Sequence, residues 1–340
     1  MNITAIPILG TAISIVIAWA LFALFCSYLH EAVAQLKAER GRFLKKYLLQ
    51  QLQDMPNDIN WAAGVYVNGA VDLLSRAPGK PTNEISPKLF ASTLIDVVGS
   101  SHMVQSIIQH QEGYDPARPE PTALQKFKEA IQVLRPSDVN DLFKQSLRDA
   151  EMKANLQAGS NADAATIDTH VYNELAKNLE LWYADFLDRV TLWYKKATRG
   201  RLFVLGAIVA LVINVDSIQL FQHFNNIPTS QAAIIGFYEQ NKAELEAAAD
   251  SLKKTGLDTA TFKKAGITIN KIDSAVTNAK LPVGTSHNIF YKLHTPGNEA
   301  TKAFPMFMLR IIGYLISGFA ASFGAPFWFD LLKKVYTIKK

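Results

Sequence analysis

The sequence predicts an all-α integral membrane protein with three transmembrane helices, a helical cytoplasmic domain on a long stalk, and a smaller, mostly helical extracytoplasmic segment. Three observations carry this reading. Of the 340 residues 49% are hydrophobic and only 19% are charged, the apolar residues gather in three long runs, and lysine and arginine crowd one flank of each run. A bilayer core takes about 20 apolar residues of helix. Ile3 to Leu29, Leu202 to Phe224 and Ile311 to Phe329 all reach that length, and only Asp216 brings a carboxylate into any of them. Three buried helices of a water-soluble protein are the alternative reading of the same runs.

The first helix is placed over 3–29. No Lys or Arg precedes it and no small-x-small site follows it, so it reads as a retained span rather than a cleaved signal peptide. Cys26 is the sole cysteine. Phe25 before it is too bulky for lipoprotein processing, so Cys26 reads as a packing residue, and one cysteine excludes an internal disulfide. Lys37, Arg40, Arg42, Lys45 and Lys46 follow this span. Arg189, Lys195, Lys196, Arg199 and Arg201 approach the second, and Lys333, Lys334, Lys339 and Lys340 follow the third. The opposite flanks offer Lys302 and Arg310. By the positive-inside rule the N-terminus lies outside and the C-terminus in the cytoplasm. The net charge of +5 then sits beside the membrane and implies anionic lipid at the cytoplasmic face rather than nucleic acid.

Residues 30–200 form the expected cytoplasmic domain. Val33, Leu36, Phe43 and Tyr47 continue an apolar face out of the first span, and Ile167, Val171, Leu175, Leu179, Trp182, Phe186 and Trp193 form a longer stripe leading into the second. No Gly or Pro interrupts Ala164 to Lys196, which predicts a stalk helix over 164–200, extending about 45 Å at 1.5 Å per residue and continuing into a span at 201–223. Such a stripe reads as a packed seam. Trp61 to Leu74 and Pro87 to Val98 are expected helices, the latter capped by Ser86 with Pro87 in its first turn. "APGKPTNEISP" and "QEGYDPARPEP" are expected loops. The extracytoplasmic segment 224–305 should contain one long helix, two shorter ones and an irregular stretch from Leu281. With few apolar anchors it is expected to lean on the membrane or on a neighbouring subunit. The third span is placed at 306–330 and a basic cytoplasmic tail at 331–340.

Catalytic patterns are sparse. "APGKPT" has a Gly-Lys pair without the upstream glycine of a phosphate loop. No two histidines stand at i+3 or i+4, and neither HExxH nor G-x-S-x-G occurs. No catalytic, metal or cofactor site is therefore expected. The candidate residues are structural. Gly313, Ser317, Ala321 and Ala325 form a small-residue stripe suited to close helix packing, within the chain or in a homo-oligomer. Trp193 and Trp328 suit the cytoplasmic aromatic belt, where Asp330 could clasp Lys195, Lys196 or Arg199, or pair with its own Lys333 or Lys334. Measured from that belt, Asp216 and Arg310 fall within about 6 Å in height, which makes them a candidate ion pair near the outer surface with Asn214 beside it.

"FLDRVTLWYKKATRGRLFVLGAIVALVINVDSIQL" and "GAPFWFDLL" resemble the second span and C-terminal signature of an uncharacterised family of bacterial three-span inner-membrane proteins; "ISPKLFASTLIDVV" and "LPVGT" are weaker echoes. The resemblance implies location and fold without an activity. The expected function is a non-enzymatic membrane anchor or scaffold whose helical domain self-assembles or recruits a cytoplasmic protein. An oligomeric channel, with Asn214 and Asp216 along a polar path, and a membrane enzyme with a dispersed site are the alternatives.

Overall fold

Apolar residues recurring at three and four positions set helices over nearly the whole chain, and the sheet found among the described residues is one two-stranded ladder. The computed structural model describes residues 7–75, 77, 79–111, 114–116, 118–158, 163–252, 259–284 and 300–338. Residues 3–6 of the expected first span, the irregular stretch from Thr285 onward, and Lys339 and Lys340 lie outside them. The chain divides into a middle unit, Lys37–Tyr194, and an end unit made of Met1–Leu36 and Lys195–Lys340.

The middle unit holds α2 (Glu39–Gln51), the β1–β2 ladder (Gln53–Asp54 with Ile59–Asn60), α3 (Trp61–Val67), α4 (Gly69–Asp72), α5 (Pro87–Ser100), α6 (His102–Gln109), α7 (Ala123–Val133), α8 (Asp138–Ala158) and the first part of α9 (Ala164–Ile213). Ser86 caps α5 as the sequence suggests, its Oγ accepting from the Leu89 N–H at 3.3 Å. The expected helix over 61–74 is two, because the Asn68 side chain caps a new helix at the Ala70 N–H. The α9 stripe is buried within the unit itself. Val171, Leu175, Leu179 and Phe186 are at most 4% exposed, and Tyr183, which the stripe omitted, stacks on Phe90 of α5 at 3.9 Å. Trp193 is 42% exposed, with its ring 5.1 Å from Tyr47.

The end unit is organised around α1 (Pro7–Leu36), the one described helix long and apolar enough to cross a membrane by itself. Against it pack α10 (Ser217–Asn226), α11 (Pro228–Ser251), α12 (Thr259–Asn278), α13 (Ala300–Ser322) and α14 (Ala325–Ile338). The other two apolar runs are bent pairs: α9 meets α10 at 57° and α13 meets α14 at 85°. Sequence expectations change here. Residues 201–223 are not one helix, since α9 ends at Ile213 and α10 starts at Ser217. Residues 306–330 are not one helix, since Gly324 takes φ +77°, the Ala325 N–H donates to Ser27 Oγ at 3.3 Å, and a new helix begins. Pro326 therefore sits in a first turn, where its missing N–H costs nothing, and not in the last turns of a span. Trp328, expected at the interfacial belt, is 7% exposed, and Phe329 beside it 1%. The Trp328 ring lies 5.1 Å from Trp19, and its Nε1 donates to the Ala320 carbonyl at 2.7 Å.

A further change concerns 224–305. α11 lies along α1: Gln231 donates to Thr11 Oγ1 at 3.0 Å and the Tyr28 hydroxyl to the Ala248 carbonyl at 3.4 Å. The two helices therefore run parallel and in step. Lys333 then pairs with Asp250 at 3.2 Å. One residue belongs to the segment expected outside and the other to the tail expected inside, so both must lie on one side of any bilayer. α9 and α13 leave an outward apolar surface, with Val204, Ile208, Val212, Leu309, Ile312, Leu315 and Phe319 each at least 45% exposed. A ladder of Phe319, Phe323 and Phe327 at 5.0 and 4.7 Å continues that surface across the bend.

Candidate functional site

The helix break after Ile213 is where the end unit concentrates its polar chemistry. Asn214 adopts φ +57°, a left-handed conformation that asparagine tolerates better than most residues. Ending α9 leaves carbonyls without helical partners, and nearby groups take them. The Gly284 N–H donates to the Ile213 carbonyl at 2.7 Å and the Val215 N–H to Ala210 at 2.8 Å. Asp216 starts the next helix, Oδ1 accepting from the N–H groups of Ile218 and Gln219 at 2.9 and 3.2 Å. A carboxylate suits a helix N-terminus because it meets both the free donors and the positive end of the helix dipole.

Facing the break is one side of α13. Its small residues are consumed inside the chain. A Cβ on Gly313 would stand 1.8 Å from Asp216 Oδ1, so glycine is what admits the carboxylate. Ser317 donates to the Val215 carbonyl at 2.7 Å. A Cβ on Gly206 would lie 2.6 Å from that of Ala321, and one on Gly318, which the sequence reading passed over, 3.0 Å from the Phe203 carbonyl. Ala325 falls beyond the bend, so the four-residue stripe is three members long.

Two donor chains run through this node, and their direction is set by which groups can donate. The Trp19 indole can only donate and reaches Ser217 Oγ at 3.0 Å; Ser217 and Ser317 hydroxyls are 2.7 Å apart; the Val215 carbonyl can only accept. The protons therefore point from Trp19 to Ser217 to Ser317 to Val215, which satisfies each group. The second chain starts at Tyr314, one helical turn beyond Arg310. Tyr314 donates to Asn214 Oδ1 at 2.6 Å, and Asn214 Nδ2 to the Pro282 carbonyl at 3.0 Å. Arg310 also acts on the Asp216 carboxylate electrostatically. Asn214, Asp216, Ser217, Tyr314 and Ser317 are each at most 5% exposed. Beside the node an apolar cavity of about 310 Å³ is lined by Ala18, Leu21, Phe22 and Phe25 of α1 and by Ile213 and Val215.

The sequence-derived residues are thus divided. Asn214, Asp216, Arg310, Gly313 and Ser317 come together, with Trp19, Ser217 and Tyr314 as members the sequence reading missed. Asp-Ser after an apolar run is a helix-start signal, and Tyr314 stands four residues from Arg310 on the same helical face, so both could have been found. Ala321 packs against α9 one turn past Ser317, and Trp328 lies beyond the bend against α1. At the other end, Lys195, Lys196 and Arg199 are exposed, while Asp330 lies 3.8 Å from Lys333 of its own helix. The satisfied node can hold a broken helix against two neighbours, and its internal pairing leaves these groups directed at one another. No family model, curated protein or solved structure matches the chain.

Proposed function

We propose that the end unit anchors the chain in a bilayer and that the middle unit is a helical domain held at the cytoplasmic face for self-assembly or partner recruitment, without catalysis. The observation that carries this is the outward apolar surface on α9 and α13: large aliphatic and aromatic side chains in such a continuous array favour lipid or another apolar surface over water. In the proposed topology the crossings are α1, α9 with α10, and α13. The N-terminus is outside and the C-terminus inside, as the basic flanks favour, and α11 and α12 form a re-entrant pair along α1 that brings Asp250 to the cytoplasmic side beside Lys333. A bacterial inner membrane is the location implied by resemblance to the three-span family, with anionic lipid at the cytoplasmic face.

The internally paired node supports an anchor over a channel. A polar path needs groups free to exchange partners with a passing ion, whereas Asn214 and Ser317 are committed to the Pro282 and Val215 carbonyls. A reporter that works only outside the cytoplasm tests the topology. It should be active when fused before Met1 and silent after Lys340, and activity at Lys340 would overturn an odd number of crossings. In liposomes the purified protein should leave an ion gradient intact; conductance would favour the channel.

A further inference from the structure

Arg42, Lys45 and Lys46 share one face of α2, and with Lys80 they line a cleft of about 750 Å³ in the middle unit. Asp72 is the acidic side chain in that lining. Like charges three and four positions apart on a helix repel, and none of the four cations has an ion-pair partner among the described residues. The fold holds Lys80 against them. Its N–H donates to the Ala77 carbonyl at 2.9 Å through a turn in which Gly79 takes φ +76°. The adjoining Pro81 carbonyl presses on Gly41, where a Cβ would come within 2.3 Å, and the Gly41 N–H donates to Asn83 Oδ1 at 3.2 Å.

A second observation is independent of the charges. Tyr66 also lines the cleft, is 6% exposed, and its hydroxyl has no hydrogen-bond partner. A buried polar group left unpaired is costly. The Lys45 ammonium stands 5.0 Å over the Tyr66 ring, and burial pushes the phenol up from its ordinary value, which keeps the ring uncharged. Leu49 and Leu73 add apolar wall. Cations without ion-pair partners beside an apolar wall describe a ligand with several anionic oxygens and a less polar body.

We propose that this cleft binds a phosphate ester, with Arg42, Lys46 and Lys80 holding the phosphate. The Gly-Lys pair of "APGKPT" is not a phosphate loop, since no helix N-terminus comes after it at that spacing; here the cations of α2 supply the charge. The size suits a small ligand. The phosphate can come from a soluble phosphorylated compound or from a phospholipid headgroup, and the test separates the two.

The full chain in phosphatidylcholine nanodiscs is titrated with inorganic pyrophosphate by calorimetry, and in a second arm with the soluble lipid dihexanoyl phosphatidylglycerol. Arg42→Gln and Lys80→Gln should each weaken binding about tenfold or more, the effect of one charge-assisted hydrogen bond. Tyr66→Phe, which keeps the ring under Lys45, should weaken it less, and Lys88→Gln, an exposed lysine outside the lining, should leave it unchanged. Binding of pyrophosphate with this pattern supports a soluble ligand. Binding of the short-chain lipid alone, with the same pattern, supports the same phosphate chemistry with a headgroup as its source. No binding in either arm, or equal losses in Lys88→Gln, overturns the proposal.

Discussion

Asn214 stands with Ala38, Asp58 and Lys280 as the described non-glycine residues at positive φ, and its conformation serves the helix that begins three residues later. The left-handed step turns the backbone so that Asp216 can cap α10 while the Asn214 side chain bridges Tyr314 and Pro282. This arrangement makes a residue-level prediction about charge. Asparagine still caps helices, so Asp216→Asn should keep α10 and remove only the attraction to Arg310. In a double-mutant cycle with Arg310→Gln, thermal unfolding in detergent should show a coupling of about 0.5–3 kcal/mol; strict additivity would mean the two charges do not interact. Gly313→Ala makes a steric prediction at the same place. The added methyl would occupy the Asp216 carboxylate position, so the variant should lose about 1–3 kcal/mol, and relief by a second change of Asp216→Ser would show that the carboxylate is the obstacle.

At the scale of elements, α9 was the most legible part of the chain. Its stripe at three- and four-residue steps and its freedom from Gly and Pro announce a helix, and a helix runs from Ala164 to Ile213. The stripe does not say what covers it, because α5 supplies Phe90 from far along the sequence. Leu179→Ala should cost about 2–5 kcal/mol of middle-unit stability, whereas Lys177→Ala, on the exposed face, should stay within about 0.5 kcal/mol. Equal effects in denaturant titrations would refute a seam filled by this unit. The two bends were harder to see. Hydropathy averaged over about 19 residues treats Asn214, Asp216 and Gly324 as small interruptions, although each carries a local signal: a left-handed residue, a helix cap and a glycine two residues before a proline. Averaging a polar cap into an apolar run is how α10 and α14 came to be read as continuations of the spans before them.

For the whole molecule, three apolar runs and their basic flanks were visible in the sequence, and the node was visible as residues at matching heights. Long-range pairings were not. Asp250 and Lys333 are 83 residues apart, and nothing near either announces the other; yet their ion pair brings the end of α11 to the start of the basic tail. Exchanging the charges with Asp250→Lys and Lys333→Asp should restore the stability lost in either single change, a modest effect for a partly exposed pair. The central claim is that the surface on α9 and α13 meets lipid while the face of the middle unit that carries Lys177 meets water. The most direct measurement is collision accessibility of nitroxide labels placed singly at Ile208, Ile312, Leu315 and Lys177 in reconstituted bilayers. Labels at Ile208, Ile312 and Leu315 should be reached by oxygen and shielded from a water-soluble nickel chelate, with the reverse at Lys177. Chelate accessibility at Ile208, Ile312 and Leu315 equal to that at Lys177 would contradict the membrane anchor.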